Sequence, residues 1–325
     1  VGRDLLRNCI FIGTHSEERV VVGDVVLNLA IGTSMHYAKP LLTEVTAPLL
    51  TAYSQMFGAA PRATSYLVVV NKGSMNDGEA FSSSFSIVTQ DSITKENNAV
   101  WAHGVAHEIL HLWNGISIEP QTQEEWFKEG CTDFMTIVWL RRLGIIDDTV
   151  LFKKLENICR KYVLAGLLHR IAGQQTEKPE PMPSLQKAGE NKGANRLLIY
   201  GGGALAAFML DVKMRSATNG AKGLDDVLRT MHTEFGITGK GYTMKDVERI
   251  ATRVSGTDCT EFFSKYIEGT EPLVVEPSLK ALGLQTASFV EEIYISRKPE
   301  VTQQEAELFQ TLFHRSSSAI LLAKP

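Results

Sequence analysis

His107-Glu108-Ile109-Leu110-His111 carries two imidazoles four residues apart, with a carboxylate directly after the first. On a helix that spacing is about 6 Å of rise and about 40° of rotation, so both rings leave one face. Neutral imidazole nitrogen binds zinc at about 2.0–2.1 Å. Glu108 is offset by about 100°. It flanks such an ion without binding it, and can take a proton from an attacking water. A third candidate ligand, Glu129, stands in Trp126-Phe127-Lys128-Glu129-Gly130. Two histidines, one glutamate and an open fourth position make a catalytic zinc set. Zinc supplies a nucleophile near neutral pH and polarises a carbonyl. The predicted cofactor is one Zn2+ ion on His107, His111 and Glu129, with Glu108 as the base. Asp133 lies one turn beyond Glu129, where a carboxylate can hold the far nitrogen of a zinc histidine. His103 also precedes His107 by four residues, but residue 104 is Gly, so that pair lacks an adjacent base. It reads as packing near the helix start, with a role behind the metal or toward substrate as the alternative.

These residues need elements to hold them. Asn97 or Asn98 can cap the first helix, and Asn114-Gly115 stops it. A second helix is expected from Thr122, where Thr122-Gln123-Glu124-Glu125 fits a capping box, with Gly144 at its end. Two helices joined by a short loop can lie antiparallel and carry Glu129 towards the histidines. The five-residue pattern alone recurs by chance. A suitably spaced glutamate on a second capped helix turns it into a metal site.

H-E-x-x-H with a downstream glutamate resembles the gluzincin peptidases. His111-Leu112-Trp113-Asn114, Trp126-Phe127-Lys128-Glu129-Gly130 and Tyr200-Gly201-Gly202-Gly203-Ala204-Leu205 are similar to motifs of the glycyl aminopeptidase family. So are Met209-Leu210-Asp211-Val212-Lys213-Met214-Arg215, Leu224-Asp225-Asp226-Val227-Leu228-Arg229 and the stretch from Gly241-Tyr242-Thr243 to Glu271. The resemblance covers roughly residues 35 to 285. It implies that Tyr200 donates a hydrogen bond to the oxyanion of the tetrahedral intermediate. It also implies that Asp77-Gly78-Glu79-Ala80-Phe81-Ser82-Ser83 contains an edge strand beside the active helix. Glu79 there would grip a free α-amine, and Glu79 and Ser83 keep the family's spacing although its Leu and His are absent. An ionised carboxylate facing a protonated amine would select exopeptidase action. The 17 residues between His111 and Glu129 are one fewer than in many aminopeptidases, so the loop is compact.

The reading is a zinc-dependent peptidase, an aminopeptidase preferring small N-terminal residues such as Gly or Ala. A zinc endopeptidase of the same fold and a catalytically silent binding or scaffold protein are the alternatives. A rival pattern, Gly201-Gly202-Gly203-Ala204-Leu205-Ala206 with Asp225 beyond it, can be read as a dinucleotide loop. That fold needs repeated strand–helix alternation, whereas the residues after 204 read as successive helices.

The expected fold class is α+β. It is a thermolysin-like bilobal catalytic domain, with a mixed sheet and zinc helix followed by a mainly helical lobe. Residues 1–32 read as the remnant of an N-terminal β domain, 33–145 as the α/β lobe and 146–285 as the helical lobe. Residues 286–325 carry no legible role. A helix is expected over 40–57, and strands over Tyr66–Val70 and Phe81–Thr89. Further helices are expected over 147–172, 196–217, 224–235, 243–255 and 258–268. Thr243-Met244-Lys245-Asp246 supports a cap, and 173–195 reads as a surface loop.

The partner is a peptide substrate. A net charge of −4 argues against nucleic acid, and no apolar run is long enough to span a bilayer. With 44% hydrophobic and 22% charged residues the chain is ordinary globular material, soluble and either cytoplasmic or exported. Val1 in place of an initiator methionine reads as a processed or excised piece. Cys9, Cys131, Cys159 and Cys259 form no C-x-x-C pair and read as free thiols, none of them a zinc ligand.

Overall fold

The computed structural model describes residues 8–174, 181–289 and 292–314. It divides into two compact units. The first comprises residues 1–119, 143–146 and 228–241; the second comprises 120–142, 147–227 and 242–325.

The first unit is built on a five-stranded mixed sheet, in the order β1-β2-β3-β5-β4. Strands β1 (His15–Val22) and β2 (Val25–Gly32) form an antiparallel hairpin. β2 then pairs in parallel with β3 (Ser65–Lys72). A parallel pair needs a long crossover, and helix α1 (Lys39–Phe57) supplies it. This corrects one expectation. Residues 15–32 do not close a separate β domain, because β2 is hydrogen-bonded into the sheet that carries β3. The residues before 8 lie outside the described ones.

β5 (Ser84–Thr89) runs parallel to β3, and β4 (Asp77–Ala80) closes the edge antiparallel to β5. The strand expected from Phe81 therefore begins at Ser84. The Phe81 amide donates to the Ser84 carbonyl (2.7 Å), making the turn between β4 and β5. Leu27, Leu29 and Ile31 are buried at alternate positions of β2, as are Val68 and Val70 of β3 and Phe85 and Ile87 of β5. That period of two matches strands with packed faces.

Helix α2 (Asn98–His111) carries the H-E-x-x-H run. The Tyr53 hydroxyl of α1 donates to the Ala106 carbonyl (3.2 Å). Phe57 stacks on Trp113, with centroids 5.2 Å apart. Asn97 occupies the cap position but makes no capping bond; its Oδ1 instead accepts from the Thr94 amide (2.9 Å). Beyond the helix, Gly115 adopts φ +118°, a conformation that favours glycine.

In the second unit, the helix expected from Thr122 begins later, as a wide π-type turn over Trp126–Cys131 that continues into α3 (Thr132–Arg142). The capping box is not made. Thr122 Oγ1 donates to Glu124 Oε1 (2.8 Å), and Glu125 pairs with Lys192 (2.9 Å). Gly144, at φ +70°, follows the end of α3 as expected. α4 spans Asp148–Gln174. Residues 173–195 are not a plain loop: they hold helical turns at Leu185–Ala188 and Gly189–Asn191. Residues 175–180, including Lys178, Pro179 and Glu180, lie outside the described ones.

A second π turn, Leu198–Gly202, leads into α5 (Gly203–Ala217). α6 (Leu224–Met231) and α7 (Met244–Ser255) follow. Asp246 Oδ2 accepts from the Thr243 amide (3.0 Å), so the expected cap forms. Strands β6 (Leu284–Phe289) and β7 (Glu292–Arg297) pair as a hairpin, and α8 (Gln303–Phe313) ends the described chain. Residues 290–291 and 315–325 of the uninterpreted C-terminal stretch lie outside it. Cys131, Cys159 and Cys259 are buried and Cys9 is half-buried, all as free thiols. Among the described residues, no helix is long and apolar enough to cross a membrane.

The dinucleotide reading fails here. Gly201, Gly202 and Gly203 lie within helical backbone, not between a strand and a helix. Asp225 is engaged by Arg142 (2.8 and 3.0 Å) and by Arg215 (2.7 Å). The same guanidiniums reach the Leu312 carbonyl (2.8 Å) and the Thr311 carbonyl (3.1 Å), tying α8 to the unit. Burial alone would raise the Asp225 pKa, but Arg142 and Arg215 outweigh it and hold the carboxyl well below the usual range. An aspartate whose folded pKa is depressed stabilises above its unfolded value, about 3.9. That stability is lost as pH falls towards the folded value. Removing one partner of a buried ion pair costs about 3–5 kcal/mol. Asp225→Asn is therefore expected to lower stability by about that much at pH 7. In urea titrations the gap between variant and wild type should begin to narrow as pH falls below ~4. An equal gap at pH 7 and pH 3 would remove Asp225 as its source.

Candidate active site

Helix α2 buries His107, Glu108 and His111, at 7%, 6% and 4% exposure. The two rings stand edge to face, 4.6 Å between centroids. His111 Nδ1 lies 2.8 Å from the Asn114 carbonyl. A carbonyl oxygen only accepts, so Nδ1 carries the proton and Nε2 presents its lone pair. That lone pair faces His107 Nε2 at 3.0 Å. A tetrahedral zinc ion would hold two such nitrogens about 3.3 Å apart. The Asn114 carbonyl thus fixes the tautomer that a metal needs, the usual arrangement behind a ligating histidine.

Edge strand β4 passes the base closely. A Cβ built on Gly78 would lie 2.6 Å from Glu108 Oε1. The missing side chain makes room for the Glu108 carboxylate. Glu79 is exposed beside it, in register with Ser86. Ser83, which shares a spacing with Glu79 in the sequence, donates through Oγ to Asn8 Oδ1 (2.5 Å).

Glu129 sits in the π turn that precedes α3, only 4% exposed. Wide turns of this kind recur at functional sites. Its neighbours are brought in by glycine. A Cβ on Gly130 would lie 2.5 Å from the Gly203 backbone, and one on Gly201 would lie 2.6 Å from Lys161 Cβ. Only glycine lets these backbones approach so closely. The Tyr200 hydroxyl, carried by the second π turn, donates to Glu129 Oε2 (2.8 Å). The Arg196 guanidinium lies 5.4 Å from the centre of the Tyr200 ring. Lys192 Nζ donates to Glu129 Oε1 (2.7 Å). Burial opposes the charge on Lys192, but Glu129 and Glu125 outweigh it and raise its pKa.

His107 and His111 belong to the first unit and Glu129 to the second. Two imidazoles and a carboxylate are a fitting donor set for a catalytic zinc. Asp133 lies 3.5 Å from Lys161 Nζ, and the His103 ring stacks near His107 at 6.3 Å. All the residues singled out in the sequence are thus located. Lys192 and the close approach at Gly78 were missed. Gly78 stands inside a motif read for its glutamate. Lys192 stands in a segment read as a loop, and no periodicity or spacing links it to Glu129.

Residues 101–206 match the family model described as M61 glycyl aminopeptidase. No curated protein sequence matches the chain. Among solved structures, the chain is similar to an aminopeptidase N family protein from Idiomarina loihiensis, at 19% identity and a TM-score of 0.70. That match covers 85% of this chain and 50% of the other. It is also similar to an M1 zinc metallopeptidase mutant from Deinococcus radiodurans bound to a Tyr-Ser-Ala substrate. There the identity is 16%, the TM-score 0.55, and the coverage 80% of this chain and 53% of that one. Residues 101–206 carry that family signature, and the likeness to these structures is one of fold. The chain spans about half the length of these solved relatives.

Gly78 and Glu108 share one small volume. Gly78→Ala is expected to push the Glu108 carboxyl aside while leaving both imidazoles in place. Zinc content by elemental analysis should stay at the wild-type value while peptide hydrolysis falls at least about tenfold, the usual lower scale for losing acid–base help being about a hundredfold. Full activity in Gly78→Ala would show that the close approach is incidental.

Proposed function

We propose that this chain hydrolyses peptide bonds as an aminopeptidase, with zinc on His107, His111 and Glu129 and a preference for small N-terminal residues such as Gly or Ala. The observation that carries the reading is the burial of His107, Glu108 and His111 together on α2, with Glu129 a further buried carboxylate. A bound zinc would supply Lewis acidity and a water nucleophile at neutral pH.

The chain's own groups do the rest. Glu108 takes a proton from the attacking water and passes it to the leaving amine, the two-step duty of a general base turned acid. Asp133 would hold the far nitrogen of a zinc histidine and so fix its tautomer. The Tyr200 hydroxyl, which donates to Glu129 Oε2 in this structure, would turn its one proton to the developing oxyanion. Glu79, exposed on the edge strand, pairs with the substrate's protonated α-amine. The resemblance to glycyl aminopeptidases supports the small-residue preference.

Glu108→Gln should keep one zinc per chain and lose turnover; near-normal hydrolysis in that variant would remove Glu108 as the base. Tyr200→Phe should lower kcat by about 10²–10³ with a much smaller change in KM, the scale for one oxyanion donor. An unchanged kcat would return Tyr200 to a purely structural role. The exopeptidase reading is tested by comparing Gly- and Ala-initiated peptides with their N-acetylated forms. Rejection of the blocked peptides is expected, and equal cleavage of both forms would make the enzyme an endopeptidase.

A further inference from the structure

Glu129 and Glu125 are two carboxylates one helical turn apart, with side chains only 5% and 15% exposed. Like charges at such spacing repel, and burial deepens the penalty. Lys192 answers both: its ammonium lies 2.7 Å from Glu129 Oε1 and 2.9 Å from Glu125 Oε2. Tyr200 holds the other Glu129 oxygen at 2.8 Å. Two donors from one stretch of chain, residues 192 and 200, therefore grip the carboxylate at both oxygens. The stretch is itself laid against the strand of chain leading to Glu129. A Cβ on Gly189 would collide with the Gln123 carbonyl, and Asn195 Nδ2 donates to the Ala188 carbonyl (3.2 Å), bracing the turn that carries Lys192.

We propose that Lys192 is a positioning residue for the metal. It fixes the plane of the Glu129 carboxylate and screens Glu125, so that Glu129 is the carboxylate presented to zinc. This rests on the zinc reading above. It makes no contact with substrate or reacting atoms part of the role. Hydrogen-bond partners of a ligating carboxylate commonly contribute about 10–100-fold to metal affinity. The opposite expectation also has a physical basis. A lysine acting merely as a nearby positive charge repels a divalent ion, so its removal would tighten binding. The sign of the change separates the two.

The test is zinc affinity of the full chain, measured by competition with a chromogenic chelator. Lys192→Met should bind zinc about 10–100-fold more weakly than wild type. Lys192→Arg, which keeps a cation able to bridge two carboxylates, should restore most of that loss. Glu125→Gln with Lys192 intact should bind zinc about as wild type does. Should Lys192→Met fail to fold by circular dichroism, Lys192→Gln replaces it, since its amide still donates but carries no charge; weaker zinc binding is again expected. Equal or tighter zinc binding in the folded Lys192→Met or Lys192→Gln variant overturns the proposal while leaving the zinc reading intact. Absence of zinc binding in the wild type overturns both.

Discussion

The arrangement depends on one constraint: ionisable groups taken out of water must be matched by opposite charge or by hydrogen bonds. Glu129, Glu108, His107 and His111 are each less than a tenth exposed. Burying such groups unpaired costs several kcal/mol per ion. The surrounding chain meets that cost in specific ways. Asn114 offers a carbonyl to His111, Tyr200 a hydroxyl to Glu129, and Lys192 an ammonium shared between Glu129 and Glu125. His107 and His111 meet through their Nε2 atoms at 3.0 Å, close to the separation that a shared zinc would set. The same logic operates away from the site, where Asp225 is set between Arg142 and Arg215. There the pairing holds helices together and does no chemistry.

Close backbone approach is the second requirement. Gly130 against Gly203, and Gly201 against Lys161 and Tyr162, bring two π turns together so that Glu129 and Tyr200 can meet. Gly78 does the same service for Glu108 on the edge strand. A methyl group at any of these positions would meet backbone, or a functional carboxylate, at less than van der Waals distance. These glycines therefore belong to the site although none of them can donate or accept through a side chain. The π turns serve the same end, because the extra residue in each wide turn re-aims the side chain it carries.

Much of the site was legible without coordinates. The four-residue interval fixes both imidazoles on one helix face, whatever the rest of the chain does, since rise and rotation per residue belong to the backbone. The family resemblance then suggested the roles proposed for Tyr200 and Glu79, which spacing alone does not. The misreadings have a common cause. Thr122 fits a capping box in sequence, yet its hydroxyl goes to Glu124 because Glu125 is taken by Lys192. The strands at residues 15–32 look like the end of another domain, because nothing in a short β run names its partner. Pairing with β3 is a long-range choice. Lys192 was hidden for the same reason: an exposed-looking lysine in a proline-flanked connector gives no hint that two buried carboxylates wait for it.

The sequence by itself determined the donor types, the helix that aligns two of them, and hence the metal chemistry proposed for them. Those follow from side-chain identity and from intervals of three or four residues, which local backbone geometry converts directly into direction. Tertiary structure alone decided which cation sits on Glu129, which carbonyl sets the tautomer of His111, and which glycine leaves space for Glu108. Each of these is a meeting of residues that no local rule brings together, and each is settled by how close two backbones can pack before atoms collide.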